Sequence, residues 1–139
     1  MLKNKGVLII LATIAANFLL GFGFNFYYFS WFDVVLHFLG GLGVYLVLSS
    51  YFKSDLANLS WLHRTILLVG TTAMVGIIWE FAEYSFTAIP AILPLPWDGF
   101  SFIGDLPDTL SDLSLDILGG LFGSILYLHS LRKRKTQQL

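Results

Sequence analysis

Four apolar stretches joined by short connections leave this chain few ways to fold. A helix that crosses a bilayer needs about 20 largely apolar residues. Such stretches run over roughly 6–26, 33–52, 64–87 and 109–131. The connections, roughly 25–32, 53–63 and 88–108, are each shorter than an autonomous domain. Residues 1–139 therefore read as one all-α unit, an integral membrane four-helix bundle. Charge agrees: 12% of the residues are charged, against about 25% in soluble domains. With no cysteine there is neither a disulfide framework nor a thiolate metal site.

Lys and Arg orient the bundle. The eight are Lys3, Lys5, Lys53, Arg64, Arg132, Lys133, Arg134 and Lys135. Four spans put the N-terminus, the middle connection and the C-terminus on one side, and all eight fall there. Basic residues mark the cytoplasmic side, so the expectation is a multi-pass inner-membrane protein with both termini cytoplasmic. The first stretch follows Lys3 and Lys5 as a signal peptide would. However, it is longer than such an apolar region and precedes no clear small-x-small cleavage site.

The acids show the opposite bias. Asp55 lies in the middle connection. Asp33, Glu80, Glu83, Asp98, Asp105, Asp108, Asp112 and Asp116 lie in the outer connections or the outer halves of the helices. Helical spacing gathers them. Asp108, Asp112 and Asp116 share a face with Gly119 and Gly123. Asp33 and His37 share one with Gly40 and Val44. Glu80 and Glu83 share one with Thr72 and Gly76. Small residues let membrane helices approach closely, so three helices are expected to pack through glycine and splay around a polar outer cup.

Part of this pattern repeats. The segment from Asp33 to Leu42 matches that from Asp112 to Leu121 at Asp33/Asp112, Leu36/Leu115, Leu39/Leu118, Gly40/Gly119, Gly41/Gly120 and Leu42/Leu121. Two repeated helical hairpins, with a site between the halves, are one reading of it.

Some of these acids have ordinary explanations. Asp33 would close a capping box behind Ser30, and Asp112 would do the same behind Thr109. Asp105 and Asp108 would begin the fourth helix, where negative charge suits the dipole. Asp98 lies in a Pro-rich connection. The remaining residues resist such roles. Glu80 and Glu83 sit near the C-terminal end of their helix, where the dipole disfavours anions. Asp116 lies roughly 10 Å below the start of its helix. An ionisable group at such depth costs about 2–3 kcal/mol or more, and the outer half has no Lys or Arg to pair with it.

Protonation, wide water access or a bound cation would hold such a cluster. Carboxylates with one imidazole suit Mg²⁺, Mn²⁺, Zn²⁺ or Fe²⁺. The candidate metal ligands are His37, Asp112, Asp116, Asp33 and Glu83. The candidate general bases are Glu80 and Glu83. His63 and His129 sit near basic residues and receive no role. The last connection carries Pro90, Pro94, Pro96, Trp97, Phe100 and Phe102, the composition of an interfacial anchor or of a lid over the cup.

The motifs Asp33-x-x-x-His37-Phe-x-Gly-Gly, Trp79-Glu80-x-x-Glu83 and Gly104-Asp105 followed by Asp108-Thr109-x-x-Asp112-x-x-x-Asp116-x-x-Gly119 resemble the YjdF-like inner-membrane proteins. More distantly they resemble the VanZ-like family, whose members often carry Asn where Asp116 stands. The resemblance implies a helical membrane protein of the cell envelope and no particular chemistry.

Three functions follow as expectations. One is a metal-dependent membrane hydrolase acting on a lipid-linked or envelope substrate at the outer face. The absence of a Gly-x-Ser-x-Gly elbow argues against serine hydrolase chemistry. A second is a proton- or cation-coupled transporter or channel, which an apolar inner half, polar only at small residues, Thr71, Thr72 and Asn17, does not favour. A third is a non-catalytic lipid-binding accessory protein. Membrane lipids are the expected partners, nucleic acid is not, and a homo-oligomer stays open.

Overall fold

The computed structural model describes residues 2–88 and 104–136. The Pro-rich stretch proposed above as anchor or lid lies largely outside the described residues. Helix α1 (Leu2–Ala16) runs on into a π turn (Asn17–Phe22). A bend follows at Asn25, which sits in the left-handed region with φ 55°, a conformation Asn tolerates better than most residues. A 3-10 turn (Phe26–Tyr28) leads into α2 (Ser30–Tyr51). Helix α3 (Trp61–Ala88) and helix α4 (Leu106–Thr136) complete the bundle. All four helical runs are long and apolar enough to cross a membrane, over Lys3–Gly21, Ser30–Tyr51, Trp61–Phe86 and Leu106–Ser130.

Helices α3 and α4 begin earlier than hydropathy suggests, because polar caps extend them. Ser60 Oγ accepts the backbone N–H of His63 at 3.4 Å and starts α3. Asp105 Oδ1 accepts the N–H of Asp108 at 3.1 Å and starts α4, satisfying a donor that the first turn leaves free. The Arg64 guanidinium reaches back to the carbonyls of Leu56, Ala57 and Leu59 at 2.8, 3.3 and 3.3 Å. It thereby ties the α2–α3 connection to the bundle.

The helices run up, down, up, down, so α2 and α4 lie parallel, and these two pack most extensively. The repeated glycines make that approach possible. A Cβ on Gly41 would run into the backbone of Asp116, and one on Gly119 into the carbonyl of Phe38. Helix α1 lies along α2, and α3 packs on both α4 and α2. At the basic end the interior is closed by Tyr45, Leu68 and Tyr127, with a buried Thr65–Ser124 hydroxyl hydrogen bond of 2.8 Å beside them. Lys3, Lys5, Lys53, Arg64 and the helical positions 132–135 lie at this end. The acids gather toward the other.

Candidate functional site

Helix α2 delivers His37 to the centre of the acidic end, where it is 5% exposed. Asp33 is one turn earlier on the same face, with Oδ1 3.8 Å from His37 Nε2. Asp112 comes from α4, with Oδ2 also 3.8 Å from Nε2. Asp116, one turn further along α4, places Oδ2 3.5 Å from the other ring nitrogen, Nδ1. These separations exceed hydrogen-bonding distance. The ring therefore stands among three carboxylates without being clamped by any of them.

Helix α3 supplies the fourth and fifth carboxylates. Glu80 and Glu83 are both buried, and each offers an oxygen within 4.8 Å of a His37 ring nitrogen and of the other. Asp33, His37 and Asp112 form a second such trio with the same spacing. His37 is the member common to both. Both oxygens of Glu80 and Oδ2 of Asp116 are buried with no hydrogen-bond partner among the described residues. Among the described residues, the ion-pair contacts of this cluster all run to His37, and none runs to Lys or Arg.

Five carboxylates and one imidazole from three helices thus converge. They include every residue proposed above as ligand or base: Asp33, His37, Glu80, Glu83, Asp112 and Asp116. The capping explanations for two of them do not hold. Phe29, not Ser30, precedes the first turn of α2, and no side chain caps it; Asp33 turns instead toward His37. Helix α4 starts at Leu106, so Asp112 lies in its second turn, beyond the reach of a cap. Asp105 is the true cap, and both Asp105 and Asp108 are exposed at the helix start, outside the cluster. Asp98 lies outside the described residues.

The floor beneath His37 depends on small residues. A Cβ on Gly76 of α3 would meet the Asp116 carboxylate, whereas one on Gly40 of α2 would come no nearer than 3.9 Å to its other oxygen. The carboxylate therefore occupies space that Gly76 leaves on α3, while the space beside Gly40 stays open.

Two contributors carried no recognisable motif. Asn17 opens the π turn and is buried. It is placed in the acidic half, not in the inner half as hydropathy suggests. Its Oδ1 accepts the Tyr27 hydroxyl at 2.9 Å. Burial, followed by the Asp33 and Glu83 carboxylates, pushes the Tyr27 hydroxyl above the usual phenol range, so it stays a donor. The available signal was a lone Asn in an apolar run, whose polar side chain needs a partner in a bilayer. A π turn is itself a common mark of a functional region.

The family model of DUF2238, described as a predicted membrane protein, matches residues 2–133. The YjdF-like proteins, which the motifs resemble, are this family. No curated protein and no solved structure matches the chain.

Proposed function

From a chain that belongs to the DUF2238 family of predicted membrane proteins, we propose a metal-dependent membrane protein. In this reading it binds a divalent cation among its buried carboxylates and acts on a lipid-linked or envelope substrate. The observation that carries this reading is Glu80. It is 7% exposed, and neither carboxylate oxygen has a hydrogen-bond partner among the described residues. A buried charge left in that state is costly unless something pairs with it. With five carboxylates around one imidazole, a cation is the partner that best matches the donor set.

The positions of the ring nitrogens support a division of labour. Asp116 lies on the Nδ1 side at 3.5 Å, from where a small approach on cation binding would let it orient a ligating imidazole and select its tautomer. That leaves Nε2 facing Asp33 and Asp112. Ligand atoms ~2.1 Å from a common ion stand roughly 3–3.5 Å apart, so the 3.8 Å separations describe a slightly expanded cage. Glu80 and Glu83 face it from α3, suited to completing the cage or to accepting a proton from water. A cation bound here would polarise a phosphoryl or carbonyl oxygen and acidify water.

The basic residues at the opposite end support cytoplasmic termini and an outward-facing cluster in the inner membrane. The Tyr45–Leu68–Tyr127 layer at the cytoplasmic end weighs against a transport path.

Titration of metal-stripped, purified full chain with Mn²⁺, followed by electron paramagnetic resonance, tests the reading. We expect one saturable site per chain, competed by Zn²⁺ or Mg²⁺ and lost in His37→Ala and Glu80→Gln. A chain that folds and shows no saturable Mn²⁺ signal would sink it. Chelator-sensitive turnover of a lipid phosphate would then separate an enzyme from an accessory protein.

A further inference from the structure

Helix α1 stands to one side of the bundle. It packs on α2, whereas α2, α3 and α4 pack on one another; α1 and α3 make no comparable contact. Two helices that flank a third without meeting leave a slot between them. A half-open cavity of about 240 Å³ lies there. Ile10 and Ile14 form its α1 wall, Val75 and Trp79 its α3 wall, and Gly40 and Val44 its floor. Toward the cluster the lining turns polar, at Asn17, His37 and Asp116. The lips are open to the surroundings: Ile14 is 39% exposed and Val75 36%.

All these residues lie within the candidate spans, so hydrocarbon surrounds the slot. Membrane helices associate through van der Waals packing, not through hydrophobic expulsion of water. An unfilled slot forfeits those contacts along its whole lining. Lipid chains are the material available at this depth. The polarity of the slot also has a direction. Toward the bilayer middle its walls offer no free polar group, since the Thr13 and Thr72 hydroxyls there are bonded to carbonyls of their own helices, and its polar end lies at the cluster. A phospholipid in the leaflet on that side has the same order, with its head outward and its chain inward.

We infer that the slot between α1 and α3 takes one acyl chain of a bilayer phospholipid, entering sideways, with the head group held at the Asn17–His37 end. The inference rests on the cation reading for its head group, since a phosphate beside five carboxylates needs a cation between them. It extends that reading by naming the substrate class and the route of entry. The width available for the chain is set by Gly40, where a Cβ would find only Asp116 Oδ1 nearby, at 3.9 Å.

Bromine quenching of tryptophan tests the slot directly. The full chain with Trp31, Trp61 and Trp97 changed to Phe keeps Trp79 as its reporter. It is reconstituted in phosphatidylcholine vesicles with acyl chains brominated near mid-chain. We expect strong quenching of Trp79, reduced at least twofold by Ile14→Phe or by Val75→Phe, which plug the slot from opposite lips. A protein retaining only Trp61 should show no effect of either plug. Quenching of Trp79 that both plugs leave unchanged overturns the inference. A slot filled by a second copy of the chain would leave Trp79 unquenched and give a dimer by mass, which also overturns it. Mn²⁺ titration of the same proteins reads the cluster separately. Plug-sensitive quenching without a Mn²⁺ site supports the chain slot and removes the cation reading. A Mn²⁺ site without plug-sensitive quenching does the reverse.

Discussion

Gly76 of α3 leaves open the volume that the Asp116 carboxylate of α4 occupies. The deepest acid of the cluster is thus positioned by the absence of a side chain on another helix. Gly76→Ala should displace that carboxylate and with it the support on the Nδ1 side of His37. Overpacking of this kind costs about 1–3 kcal/mol. We expect a lowered melting temperature together with at least tenfold weaker Mn²⁺ binding. Gly70→Ala is the matched control: a Cβ there has nothing within 4 Å. It should leave binding unchanged and add up to about 1 kcal/mol of helix stability.

Glu80→Gln should separate stability from binding. In metal-free protein, replacing a buried, unpartnered carboxylate by a neutral amide should raise stability by roughly 1–3 kcal/mol. Adding Mn²⁺ should stabilise the parent by about 2.7 kcal/mol at a hundredfold excess over its dissociation constant and leave the variant unmoved. Thermal melts with cation and with chelator read both effects. Equal cation stabilisation of the two proteins would remove Glu80 from the site.

Asp105→Ala should behave as a plain capping loss. It removes the acceptor for the Asp108 N–H, costing about 1 kcal/mol. Because Asp105 is exposed outside the cluster, cation binding should not change. A large binding defect would show that the start of α4 belongs to the site.

Tyr27 should give the protein an alkaline dependence of known sign. Its folded-state affinity for the proton is raised by burial and by Asp33 and Glu83. The stability this contributes is complete below the unfolded phenol value of about 10 and falls as pH rises past it. Tyr27→Phe should flatten that fall and, by removing the bond to Asn17, cost about 1 kcal/mol at neutral pH. Unfolding measured from pH 8 upward compares the two slopes.

The spans were legible because membrane insertion depends on summed apolarity, and no stretch here is ambiguous in length. The converging faces were legible because α2, α3 and α4 are regular helices, on which spacing predicts direction. Asp33 and Asp112 were less so, since a capping box and a carboxylate turned into the bundle use the same residue types near a helix start. The outcome turned on where each helix begins: Asp105 and not Thr109 caps α4, and Phe29 precedes α2. Asn17 and Tyr27 were hidden for a different reason. Their meeting depends on a π turn and on a left-handed Asn25, and neither leaves a periodic trace in the sequence.

The π turn at Asn17–Phe22 also acts as a phase shifter. An α-helix advances about 100° per residue, and a π turn absorbs one residue more per turn than that rhythm allows. Helix α1 is therefore set out of step with the bend into which the π turn carries the chain. Deleting one residue between 17 and 22 would restore the regular rhythm and swing the bend that follows by roughly a quarter-turn about the axis of α1. Tyr27, which the bend delivers to Asn17, would then be aimed elsewhere, although the composition of the helix would hardly differ.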